Sequence, residues 1–257
     1  MTLLKSSAFL LASVFLFCCQ SVLIAEPEID NKMTATVNLQ KSKKHALNII
    51  QRPIIFDQTR ERLSLEYLDK RYNLKQTKAT ITPRMVVVHW TVIPTLEQSF
   101  NAFNPSQLPA SREKIGAASS LNVSAHYLID RDGTIYQLLP NTTFARHVIG
   151  LNHSAIGIEN VGDDASLPLT AEQLQANIDL ITKLSAEFPI EYVIGHYEYT
   201  YFSNHPLWKE TDPSYLTEKT DPGVEFITAI RKALSHLPLK EMPKPVNLKN
   251  KELINEL

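Results

Sequence analysis

Cysteine is almost missing from this chain: its 257 residues include two, Cys18 and Cys19, both inside an apolar segment at the N-terminus. Once that segment is removed, the remainder can form no disulfide and offers no cysteine to a metal. An excess of one charge is missing too, since 26 Lys and Arg balance 27 Asp and Glu. That balance excludes nucleic-acid binding through bulk charge and an acidic disordered tail. The chain shows no internal repeat, and neither an HExxH nor a CxxC spacing. Its apolar run at Ala8–Phe17 falls short of the roughly 20 residues that a membrane helix needs.

What is present is ordinary globular material, 44% hydrophobic and 21% charged, enough for one sizeable domain with extensions. Lys5 before the Ala8–Phe17 run reads as a secretory signal over residues 1–25, with the mature chain starting near Glu26. The expected location is the periplasm or cell envelope. An uncleaved anchor, or acylation at Cys18 or Cys19, stays open as the alternative, although Phe17 is a bulky neighbour for a lipidated cysteine. Residues 26–56 read as a polar leader off the core, 57–237 as the domain, and 238–257, rich in Pro and Lys, as a peripheral tail.

Within the domain, Asp57 caps a helix over 57–72 that places Leu65, Leu68 and Tyr72 on one face. Met85–Val88 is an unbroken apolar run suited to a central strand, and it delivers His89 to the strand end. Residues 125–139 form a hairpin around Asp132-Gly133, and Ala155–Ile158 is a strand ending in Glu159. Thr170 and Gln173 make a capping box for a helix with a stripe at Leu174, Ile178, Ile181 and Leu184. Tyr192–Gly195 leads into His196, a long loop follows from 197 to 222, and a helix follows Gly223. The fold class is α/β, a mixed central sheet covered by helices on both faces.

His89, His196 and Asp221 suit a tetrahedral zinc site that keeps its fourth position open. Taken singly, a strand-end histidine is more often structural than ligating. The ordered segments ending in His89, Val123–Ile129 with Asp132-Gly133, Ile156–Glu159, Gly195-His196 and Lys219–Gly223 together resemble the zinc-dependent N-acetylmuramoyl-L-alanine amidases, a type shared with peptidoglycan recognition proteins. The resemblance covers roughly residues 83–234.

That resemblance implies His89, His196 and Asp221 as zinc ligands, Glu159 as the acid-base carboxylate, and Lys219 as a cation beside the metal. It implies substrate contacts at His147 and Asn152, and an amidase-like fold. Peptidoglycan or muropeptides are the implied substrate, cleaved between the lactyl group and L-alanine by a monomer that touches membrane only if lipidated or uncleaved. A non-catalytic peptidoglycan-binding module is the alternative, and a zinc hydrolase of another amide a third reading. Arg146-His147 departs from the family's Trp-His, and the 25 positions from His196 to Asp221 are long for it, with Tyr199, Tyr201, Phe202, His205 and Trp208 in the insertion. Those aromatics either wall a substrate groove or pack the loop down. His126 reads as hairpin support, and His153 and His205 as surface residues.

Overall fold

The computed structural model describes residues 47–109, 116 and 118–245. The export segment with Cys18 and Cys19, most of the leader, and the end of the tail lie outside the described residues. In chain order the elements are β1 (Ile49–Gln51), α1 (Gln58–Tyr72), β2 (Met85–Trp90), α2 (Leu96–Phe103), β3 (Tyr127–Ile129), β4 (Ile135–Gln137) and β5 (Ala155–Asn160). They continue with α3 (Ala171–Glu187), β6 (Tyr192–Gly195), a 3-10 helix (His196–Phe202) and α4 (Val224–Ala233).

The six strands form one sheet in the order β1-β4-β3-β5-β2-β6. Only the β3–β4 hairpin is antiparallel; the other pairings are parallel. β2 lies between β5 and β6, and Met85, Val86, Val87 and Val88 are fully buried. This is why its sequence is a continuous apolar run: both faces are covered. Val86, Val88, Ile156 and Ile158 join a core with Leu180, Ile181 and Leu184 of α3 and Ile227 and Ile230 of α4. Met85, Val87, Ala155 and Ile194 meet Leu151, Tyr199, Phe202 and Leu207 in a second core.

Caps and turns follow local chemistry. Asp57 accepts from the Arg60 N–H at 2.8 Å at the start of α1, and Asn73 closes that helix at φ 52°. The Thr170–Gln173 capping box is formed. The buried face of α3 includes Ile181 and Leu184 of the stripe read in the sequence but is turned at its start: Leu174 and Ile178 are only partly buried, whereas Gln173, Ala176, Asn177 and Leu180 are buried. The reason is polar. Gln173 Nε2 donates to Val161 O and Ile129 O, and Asn177 Nδ2 donates to Asn160 Oδ1 at 2.7 Å, satisfying groups at the strand ends.

The expected leader and tail are partly built into the domain. β1 pairs with β4, Ile54 is buried, and Arg52 holds Glu97 of α2 while lying over the Phe100 ring. At the other end Lys240 bonds Glu191 through both backbone and side chain. His153 meets the Tyr72 ring edge-on, and His205 meets those of Tyr192 and Phe202 edge-on, so both are half-buried and packed against aromatics rather than free on the surface. Among the described residues no helix is long and apolar enough to cross a membrane.

α4 is tied to the turn after β6 by a two-pronged ion pair, with Arg231 Nη1 and Nη2 donating to Glu198 at 2.9 and 2.8 Å. Glu198 is buried and also accepts from the Gly195 N–H at 2.8 Å. Replacing Arg231 by Ala strands that carboxylate. We expect Arg231→Ala to lower the unfolding free energy by about 3 kcal/mol, measured as a shift of the urea midpoint.

Candidate metal centre and cleft

Parallel register decides which side chains meet. Val88 pairs with Gly195 and His89 with Glu159, so the C-terminal ends of β5, β2 and β6 bring Glu159, His89 and, one residue past its strand, His196 to the same edge. Ligand sites in α/β sheets form along this edge. Asp221 arrives from the loop, where the Tyr197 N–H donates to its backbone carbonyl at 3.1 Å. That approach is close, and only glycine permits it: a Cβ on Gly195 would lie 2.9 Å from Pro222 Cδ and from the Tyr197 ring.

The result is a triangle of donor atoms. His89 Nδ1, His196 Nδ1 and Asp221 Oδ2 stand 3.0 Å from one another, and all three residues are buried. Nitrogen and oxygen ligands at about 2.0–2.1 Å from a tetrahedral zinc are separated by about 3.3 Å, so the set fits a divalent ion. Burial pushes the His196 imidazole down to about 4, against the pull of Asp221. Burial also opposes ionisation of Asp221, but the adjoining His196 ring outweighs it and holds the carboxyl below its usual range. Neutral imidazoles and an ionised carboxylate are the forms a metal requires.

A chain of hydrogen bonds sets the tautomer of His89. His147 Nε2 lies 3.2 Å from Ala155 O and His147 Nδ1 lies 3.0 Å from His89 Nε2. A carbonyl can only accept, so His147 carries its proton on Nε2, and burial holds its pKa well below the usual value, keeping it neutral. His147 Nδ1 therefore accepts from His89 Nε2–H, which leaves the His89 Nδ1 lone pair in the triangle. Two acceptors, His89 Nδ1 and Asp221 Oδ2, then face each other at 3.0 Å, an arrangement that calls for a cation between them.

The sequence placed His147 and Asn152 against substrate. Both line the cleft, and both also hydrogen-bond within the protein. Asn152 Oδ1 accepts from the His147 and Val148 N–H groups at 2.9 and 2.8 Å, and its Nδ2 donates to Tyr72 Oη at 2.9 Å. These bonds brace the centre from behind. His126 is structural: its ring lies between Thr143 O and the Gly157 N–H, and burial lowers it to about 4. Asn160 went unnoticed in the sequence, although its Nδ2 donates to His89 O at 2.9 Å and so fixes the backbone that carries the ligand.

The cleft beside the triangle has a volume of about 290 Å³, and Glu159 and Lys219 share it with the three clustered residues. Of the two roles considered for Tyr199, Tyr201, Phe202, His205 and Trp208, the structure shows packing: none of them lines the cleft, which the insertion reaches through other residues. Tyr199 and Phe202 pack against the sheet, and the Trp208 ring lies so close over Gly150 that a Cβ there would come within 2.6 Å of it. Tyr215 and Thr217 reach the cleft. They are held by Tyr199 Oη, 2.8 Å from both Thr217 N and O, and by Arg146, whose Nη2 donates to Tyr215 Oη at 3.2 Å.

A Cβ on Gly157 would lie 2.8 Å from Cγ and Nδ1 of His147. Gly157→Ala should displace that ring from His89 and weaken divalent-ion affinity by about 10- to 100-fold, read by chelator competition, with secondary structure retained.

No curated protein matches the chain in sequence. Solved structures are similar in shape to it. LysC, an N-acetylmuramoyl-L-alanine amidase from Clostridium intestinale URNW, is 20% identical with a TM-score of 0.45, over 75% of this chain and 99% of that one. A derivative of AmpD is 23% identical with a TM-score of 0.44, over 74% and 95%. A human PGRP crystallised with glycosamyl muramyl pentapeptide is 19% identical with a TM-score of 0.42, over 59% and 85%. The family model for N-acetylmuramoyl-L-alanine amidase matches residues 79–224, more than half of the sequence and every residue of the triangle, and the chain belongs to that family.

Proposed function

We propose that the protein is a zinc amidase that cuts peptidoglycan or muropeptides between the lactyl group of N-acetylmuramic acid and L-alanine. The observation that carries this is the triangle of His89, His196 and Asp221 opening on a cleft that also holds Glu159 and Lys219. The three clustered residues hold the ion. Zinc supplies Lewis acidity to the scissile carbonyl and makes water acidic enough to ionise near neutral pH.

Glu159 is the general base. It pairs in register with His89 on the neighbouring strand and is largely buried, so its carboxylate is fixed beside the reacting centre. It takes a proton from the attacking water and later returns one to the departing alanine nitrogen. Lys219, two residues before Asp221 and lining the same cleft, places its cation to offset the charge that develops on the carbonyl oxygen. His147 and Asn152, which line the same cleft, contact the substrate while their internal hydrogen bonds support the clustered residues.

The N-terminal apolar segment supports export, with action on the wall in the periplasm or envelope. The balanced charge favours no nucleic-acid partner.

Purified cell wall incubated with the zinc-loaded protein should release new N-terminal alanine amines, with glycan separated from intact peptide. A clean preparation that releases none contradicts the assignment. Chelation should abolish release, and added zinc should restore it. Glu159→Gln should lower kcat by about 10²- to 10⁴-fold at unchanged zinc content; a variant as fast as wild type removes Glu159 as the base. Lys219→Ala should lower kcat by about 10²-fold or more, a loss of about 3 kcal/mol of transition-state stabilisation.

A further inference from the structure

Val92 stands two residues beyond the end of β2, in the left-handed region at φ 54°. A β-branched side chain is strained there, because its branch crowds the backbone that glycine or asparagine would tolerate. Burial does not compensate: Val92 is 67% exposed, among the most exposed large apolar residues of the described chain. In the free protein the side chain therefore incurs a conformational cost and a hydration cost together.

The surroundings nevertheless hold this conformation from several directions. The Val92 N–H donates to Gly162 O at 3.0 Å, and the Thr91 N–H to Asn160 O at 2.9 Å. Thr91 Oγ1 bonds Ile93 on the far side of Val92 twice, donating to Ile93 O at 3.0 Å and accepting from the Ile93 N–H at 3.1 Å. Strained residues held by their surroundings cluster at binding and catalytic sites. Val92 also lines the cleft that contains His89, Glu159 and Lys219, on the segment directly following the His89 strand.

We infer that Val92 is a specificity-determining residue whose isopropyl group packs against a methyl group next to the scissile amide. This rests on the amidase reading above. The amide of that substrate is flanked by two methyl-bearing carbons, one in the lactyl group and one in L-alanine, and an exposed aliphatic side chain on the cleft wall complements either. Binding would then bury the valine surface that water meets in the free protein.

The test uses the full zinc-loaded chain and three soluble substrates: a muramoyl peptide beginning with L-alanine, its analogue with glycine in that place, and its analogue with glycolyl in place of lactyl. Wild type should lose about tenfold in kcat/KM on the analogue lacking the contacted methyl. Val92→Gly should reduce that discrimination to within about threefold, and the analogue affected identifies the methyl. The variant should keep its zinc content and melt no lower than wild type. Equal discrimination by the two proteins on both analogues overturns the inference. A melting temperature several degrees below wild type overturns its premise, that the valine gives the free fold nothing. Wild-type protein that leaves the parent substrate intact overturns the amidase reading, and this inference with it.

Discussion

Two hydrogen-bond acceptors, the lone pair of His89 Nδ1 and the ionised Oδ2 of Asp221, are held 3.0 Å apart in a buried site. Without a cation between them such a pair is repulsive, and the low polarity of the surroundings strengthens the repulsion. The rest of the domain can be understood as what keeps that arrangement in place. The parallel registers of β5, β2 and β6 align Glu159, His89 and His196 along one sheet edge, and the bond from Tyr197 to the Asp221 carbonyl brings the third member in.

Support reaches well behind the ligands. His147, held by Ala155 O and admitted by the absence of a side chain at Gly157, sets the proton on His89. Asn160 holds the His89 carbonyl and is itself held by Asn177 of α3, which Gln173 accompanies in bonding the strand ends. Glu198 and Arg231 hold the turn that presents His196. Each of these polar groups would be costly to bury alone. Bonded together, they tie the centre to the sheet and the helices that pack on it.

The cleft wall has a different origin. Its inner side comes from the sheet edge and the strained turn at Val92, and its outer side from the insertion between His196 and Asp221. Aromatic packing of Tyr199, Phe202 and Trp208 fixes that insertion, and Arg71 anchors it to α1 through Glu210 at 2.8 Å and the Tyr215 ring at 4.4 Å. The additional length thus becomes a braced wall, with Tyr215 and Thr217 at the cleft.

By itself the sequence determined the elements whose signals are local. The Asp57 cap, the Thr170–Gln173 box, the Asp132-Gly133 hairpin and the apolar run before His89 each depend on neighbours within a few residues. The ordered motifs also named His89, His196 and Asp221, because the family pattern does not depend on knowing their distances. Tertiary structure decided what rests on residues far apart in the chain. β1 has three residues and pairs with a strand more than eighty positions away, and α2 is too short for its period to stand out. The buried face of α3 includes Gln173 and Asn177, which a reading of apolar residues alone discards, because burial of a polar group depends on partners supplied by other elements. For the same reason His147 and Asn152 could be placed near the site from the sequence, while their bracing role emerged only once Ala155, Gly157 and Tyr72 were folded around them.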